Sequence, residues 1–147
     1  MGDVAIGLDA VKQWCTAREF AYRSNGEHQI LIVQDPEKEV PIHVVGFEDR
    51  DLLTFAMFLP MTIPEEQWDA VRLAISALNS DTFLGAWALK PETGEVFFRV
   101  TLPTLGFSMG EGSLDFMVGI LVATVSAAAD GLHQVAQGAE WQSVLES

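Results

Sequence analysis

Basic side chains are scarce in this chain: 8 Lys and Arg stand against 21 Asp and Glu, giving a net charge of −13 over 147 residues. No Lys or Arg follows Arg99. Nucleic-acid backbones are held by clustered Lys and Arg, so direct nucleic-acid binding is disfavoured and a basic protein partner is electrostatically easier. Cysteine is nearly absent. Cys15 stands alone, which excludes an internal disulfide and a cysteine-based zinc site and makes a reducing cytoplasm the expected location. The N-terminus, Met1 to Ile6, has no basic stretch leading into an apolar run, unlike a secretory signal. The longest uncharged run, Phe116 to Ala129, is too short to cross a bilayer and reads as a soluble, heavily buried helix. Internal repeats, low-complexity stretches, linkers and cofactor-binding motifs are all missing.

What is present suits one packed domain. Hydrophobic residues make up 49% of the chain, ample for a core at this length. The stretch Phe83 to Leu102 holds two extended apolar runs joined by Pro91-Glu92-Thr93-Gly94. Pro91 sets the φ of a tight turn and Gly94 supplies positive φ, so the two strands should be antiparallel neighbours. Upstream, Val4, Leu8, Val11, Cys15 and Tyr22 share one helical face, predicting a first helix over Val4 to Tyr22 that ends at Ser24-Asn25-Gly26. Three strands follow, Gln29 to Gln34, Val40 to Phe47 and Leu52 to Met61, separated by the polar turns Asp35 to Lys38 and Glu48 to Asp51. Thr62-Ile63-Pro64-Glu65 fits a capping box, predicting a second helix that runs to about Asn79.

After the hairpin, a third helix is expected to begin between Ser108 and Leu114 and to end near Val135. It carries one stripe of Leu114, Val118, Leu121, Val125 and Leu132 and another of Phe116, Ile120, Ala123 and Ala127, so it should be covered on two sides. Several strands are apolar on both faces, which implies that both sheet faces are at least partly covered. The predicted fold is α+β: an antiparallel sheet of about five strands with three helices, in the order α-β-β-β-α-β-β-α. All 147 residues form a single domain, and residues 136–147 read as a tail that either moves or lies back on it.

The order and spacing of four segments carry a resemblance. They are Ala77-Leu78-Asn79 at the end of the second helix, Leu84-Gly85-Ala86-Trp87, the turn Thr93-Gly94-Glu95-Val96, and the strand Phe97-Phe98-Arg99-Val100-Thr101-Leu102-Pro103 before an apolar final helix. Together they resemble the YbjN family, bacterial domains whose fold is similar to that of type III secretion chaperones. The resemblance covers most of the chain. It implies a dimer-forming, non-enzymatic protein that binds other proteins or modulates their state, and it offers no catalytic residues to carry over.

Gly106-Phe107-Ser108-Met109-Gly110 competes with that implication, because it spells the G-x-S-x-G elbow of serine hydrolases, between an expected strand and an expected helix. Asp130 and His133 follow in the chain order such a triad needs. One intact helix cannot assemble it, however, since at 1.5 Å per residue His133 lies roughly 30 Å from the start of a straight helix beginning near Ser113. The bland alternative is a loop leading into the third helix. Gly106, Gly110 and Gly112 also suggest a phosphate loop, but no lysine accompanies them and Glu111 repels phosphate; Ser108 or Ser113 more simply caps the helix. His28, His43 and His133 lack metal-ligand spacing, and Glu48, Asp49 and Asp51 read as a solvated turn rather than a cation site.

The expected function is therefore a non-enzymatic protein-binding or chaperone-like module, cytoplasmic and homodimeric, that needs no cofactor or metal and contacts neither nucleic acid nor membrane. Its alternatives are a small serine hydrolase using Ser108 and a ligand-sensing domain. Ile6 and Phe20 point away from the stripe of the first helix and, with Trp141 in the tail, are the candidate protein-binding residues. Ala70, Ala74 and Ala77 on the second helix, with Phe116 and Ile120 on the third, are the candidate dimer or partner face.

Overall fold

The structure is a computed structural model that describes residues 7–33, 40–47, 50–104 and 111–145. Three helices accompany a six-stranded sheet of order β1-β2-β3-β4-β6-β5, an α+β arrangement. The helices are α1 (Leu8–Ala17), α2 (Trp68–Ser80) and α3 (Glu111–Ala136). The strands are β1 (Ala21–Ser24), β2 (Gln29–Val33), β3 (Ile42–Phe47), β4 (Leu52–Thr62), β5 (Ala86–Leu89) and β6 (Glu95–Pro103). Pairings β1–β2, β2–β3, β3–β4 and β5–β6 are antiparallel. The expected turns Asp35 to Lys38 and Glu48-Asp49 lie outside the described residues. By its contacts the chain divides into two compact units, one of residues 1–56 and 100–120, the other of residues 57–99 and 121–147.

In the first unit, α1 is shorter than the periodicity predicts. Its last turn closes when Glu19 adopts φ 60 and the Phe20 N–H donates to the Cys15 carbonyl at 2.9 Å, a left-handed helix ending. The chain is thereby free to form β1, the sixth strand, where helix was expected. β1 pairs Tyr22 with Ile32, and all four of its residues are exposed. Ile30, Val44 and Phe55 align across β2, β3 and β4 on one face and are at most 1% exposed. α1 lies over this face, since a Cβ at Gly46 would sit 3.4 Å from the Leu8 side chain. The opposite face aligns Leu31, His43 and Ala56.

In the second unit, the β5–β6 hairpin forms as its turn chemistry requires. Gly94 has φ +77 and its N–H donates to the Lys90 carbonyl at 2.8 Å. β5 starts only at Ala86, so Phe83 belongs to the preceding loop and not to the strand expected there. The capping box at Thr62 does not form: Thr62 ends β4, and Pro64 precedes a short 3₁₀ turn, Glu65–Gln67, with no side-chain cap. Pro64, in extended ψ 141 and without an N–H to offer, separates the would-be cap from the helix. Trp87 stacks on Phe98, with ring centroids 5.2 Å apart, and α2 contacts β5. On the other side, Phe58 and Phe97 stack at 5.0 Å.

α3 corrects two expectations. Leu114, Val118, Leu121, Val125 and Leu132 are buried, with Met117, Ala128 and Val135 completing one continuous stripe. The second stripe is not covered: Phe116 is 62% exposed, Ala123 and Ala127 are exposed, and Ile120 is half-buried. The helix is not heavily buried. It also outruns its uncharged stretch by continuing through Asp115 and Asp130, so that by length and composition it is long and apolar enough to cross a membrane, with 33% of its apolar 18-residue stretch buried. Its single buried stripe is the pattern of a helix packed by one face.

Candidate protein-binding site

The candidate residues fall into two groups, one per unit. In the first unit, the end of α1 is fastened to the start of α3. The Asp115 carboxylate accepts from Trp14 Nε1 at 2.9 Å, from Arg18 Nε at 2.8 Å and from Arg18 Nη2. These donors, Arg18 first and then Trp14, hold Asp115 below its usual value of 3.8. Phe20 leans on the buried Trp14 ring at 5.3 Å and is half-buried. It is therefore partly engaged by its own chain, and it sits on the segment after α1 rather than on the helix. Ile6 lies outside the described residues. Phe116, one position beyond the clasp, is the most open of the large apolar side chains described in this unit.

In the second unit, Ala74 is 0% exposed and faces the core, so it leaves the candidate partner face, while Ala70 and Ala77 are half-buried. The exposed apolar residue on α2 is Leu73, at 53%. Trp141 opens the 3₁₀ turn Trp141–Leu145, which packs against α2 and buries Val144. The tail lies back on its own unit there, admitted by the missing side chain of Gly131, where a Cβ would come within 2.9 Å of Val144 Cα. Sequence reasoning missed Phe83, which is 103% exposed. The signal was present, because Gly85 inside an apolar run marks a bend, and here it has φ +88.

Chemistry-bearing groups are dispersed. His43 Nδ1 lies 3.1 Å from Gln29 Nε2 on the β2–β3 pair. His28 is exposed and 3.9 Å from Glu27, and Asp130 and His133 are exposed on α3. Gly106, Ser108 and Gly110 lie outside the described residues, and Gly112 and Ser113 sit within α3, so that Ser113 does not cap it. Among the described residues no group of three His, Cys, Asp or Glu is placed to hold a metal ion. Burial pushes the Cys15 thiol up to about 11, so it is a packing side chain rather than a nucleophile.

These observations define an α+β fold that leaves several large apolar side chains open. Residues 7–134 match the model of the YbjN family, described as "Putative bacterial sensory transduction regulator". The chain belongs to that family. Among solved structures it is similar to YbjN from E. coli, described as "a putative transcription regulator", with TM-score 0.64 and 11% identity over 84% of this chain and 88% of that one. It is also similar to a chain in the structure of the HopA1-SchA chaperone-effector complex, with TM-score 0.57 and 12% identity over 84% of this chain and 92% of that one. At such identities the likeness is one of fold. No curated protein matches the chain.

Proposed function

We propose that this chain is a non-enzymatic, chaperone-like module that docks a protein partner through open apolar side chains, acting as a homodimer in the cytoplasm. The observation that carries the reading is the exposure of Leu73, Phe83 and Phe116, at 53%, 103% and 62%, on a chain of net charge −13. Large apolar side chains this open are available for another surface to cover, as interface anchors are. The carboxylates around them steer basic partners inward and repel acidic ones. The fold likeness to a chain of a chaperone-effector complex supports the reading, as does membership of the YbjN family.

The test is affinity purification from the native host with wild-type bait beside Phe116→Asp, and light scattering across a concentration series. The wild type is expected to recover a defined protein that is lost at high salt and reduced by Phe116→Asp. A bait that recovers no protein under any condition overturns the docking function. A monomer at high micromolar concentration removes the homodimer.

A further inference from the structure

Phe83 is as open as a side chain in an extended peptide, at 103%, yet the loop that carries it is tied at both ends. On the α2 side, Thr82 Oγ1 donates to the Leu78 carbonyl at 2.7 Å, and the Thr82 N–H donates to the Asn79 carbonyl at 3.2 Å. On the β5 side, Gly85 turns the chain at φ +88. Asn79 then bridges the two ends: its Nδ2 donates to the Trp87 carbonyl at 3.1 Å, and the Trp87 N–H donates to its Oδ1 at 2.7 Å. The backbone of the loop is thus arranged before any partner arrives. An aromatic on such a frame loses little further freedom on docking, which is the property of an interface anchor.

We infer that Phe83 is the anchor of a protein-docking site, and that the partner surface it enters is an apolar pocket rimmed by Lys or Arg. This deepens the proposed docking function and rests on it. Charge selects the occupant. The unit that carries Phe83 holds nine carboxylates against three cations, and Asp81, two residues away, is exposed. Of those cations, Arg72 is paired with Asp69 at 3.2 Å and lies over the Trp68 ring, and Arg99 lies over Phe97. A basic-rimmed pocket is attracted to this surface, whereas a second copy of the chain brings the same excess of carboxylates.

The experiment places 4-fluorophenylalanine at position 83 of the full chain and titrates an amphipathic peptide of Leu and Lys, beside a Leu and Glu peptide of the same length, following the fluorine resonance. The Lys peptide is expected to shift the resonance. Its dissociation constant should rise at least tenfold in Phe83→Ser, whose thermal melt should match the wild type because the side chain packs against nothing. Equal binding of the Lys peptide by wild type and Phe83→Ser overturns the anchor while leaving a binding module in place. Failure of the wild type to bind the Lys peptide, or equal binding of the Glu peptide, overturns the basic-rimmed pocket. A resonance that moves with protein concentration alone assigns the site to a second copy and overturns the inference.

Discussion

Alanine at Gly94 should destabilise the protein far more than alanine at Gly26, although both glycines sit at positive φ, +77 and +84. A side chain in the left-handed region costs roughly 1–2 kcal/mol. Removing glycine's freedom from the unfolded chain returns about 0.4–1 kcal/mol, leaving a net of ~1 kcal/mol common to both positions. At Gly26 that is the whole effect, because a Cβ there meets nothing within 4 Å. At Gly94 the methyl group would lie 2.8 Å from the Ile63 carbonyl oxygen, 3.3 Å from Trp68 Nε1 and 3.4 Å from Thr62 Cγ2. The oxygen cannot simply retreat: it accepts from Trp68 Nε1 at 2.9 Å, and the Ile63 N–H donates to the Gly94 carbonyl at 2.8 Å. Relieving the clash sacrifices one or both bonds at about 0.5–1.5 kcal/mol each, so Gly94→Ala should cost about 2–4 kcal/mol in all. Thermal unfolding followed by circular dichroism reads the difference. At roughly 2–4 °C per kcal/mol for a chain of this size, Gly26→Ala should lower Tm by about 3 °C and Gly94→Ala by roughly 6–12 °C. Equal shifts in the two variants would refute the claim that the turn is packed against the Ile63 backbone.

Cys15, with its pKa pushed up to about 11 by burial, should resist iodoacetamide at pH 8 in the folded protein and react at the usual thiol rate once unfolded in urea; rapid labelling of the native state would contradict that. Asp115, held below 3.8 by Arg18 and Trp14, contributes stability that is fully present above the unfolded carboxyl value and lost as pH falls through the lower folded value. Asp115→Asn should therefore lower the urea midpoint at pH 6 and shrink the loss that sets in as pH falls below the unfolded carboxyl value, and an acid loss as steep as wild type would sink the assignment. Alanine in a helix interior ordinarily gains about 0.5–1 kcal/mol over glycine, as Gly119→Ala should in α3. Gly131→Ala should reverse that sign, because its Cβ would lie 2.9 Å from Val144 Cα and 3.2 Å from the Ser143 carbonyl oxygen. It should also expose residues 138–145 to protease, and a stabilised, protease-resistant variant would disprove the close docking of the tail.

The parts of the fold legible in the sequence were those fixed by local chemistry. Pro91 and Gly94 dictate the hairpin, and a stripe such as Leu114, Val118 and Leu121 dictates a packed helix. The misreadings came where a nonlocal partner outweighed a local pattern. Tyr22 continues the helical spacing of Val4 to Cys15, yet Ala21–Ser24 pairs with β2 because Glu19 takes a left-handed turn that no periodicity reveals. Ala74 is a candidate for the partner face by sequence, but alanine carries no polarity to say which side of a helix is inside. Phe83 read as the first residue of a strand, whereas the positive φ of Gly85 bends the chain just before β5 and leaves the aromatic in the loop. Of the candidate site, Phe116 was legible as an apolar position and its exposure was not, since hydrophobic spacing reports where apolar groups recur and not which of them find cover.

The open stripe of α3 shows what such exposure is worth. Its uncharged run of fourteen residues, Phe116 to Ala129, is ~21 Å long at 1.5 Å per residue, and a strip ~10 Å wide along it amounts to roughly 200 Å². A stable protein–protein interface buries about 800 Å² on each partner. The α3 stripe alone is therefore too small to hold a partner tightly, and a dimer or complex that used it would have to recruit other surface, such as the exposed strand β1. It follows that Phe116→Asp should weaken binding without abolishing it, whereas a side chain that fills a partner's pocket by itself, as inferred for Phe83, should behave as an anchor whose loss removes most of the affinity.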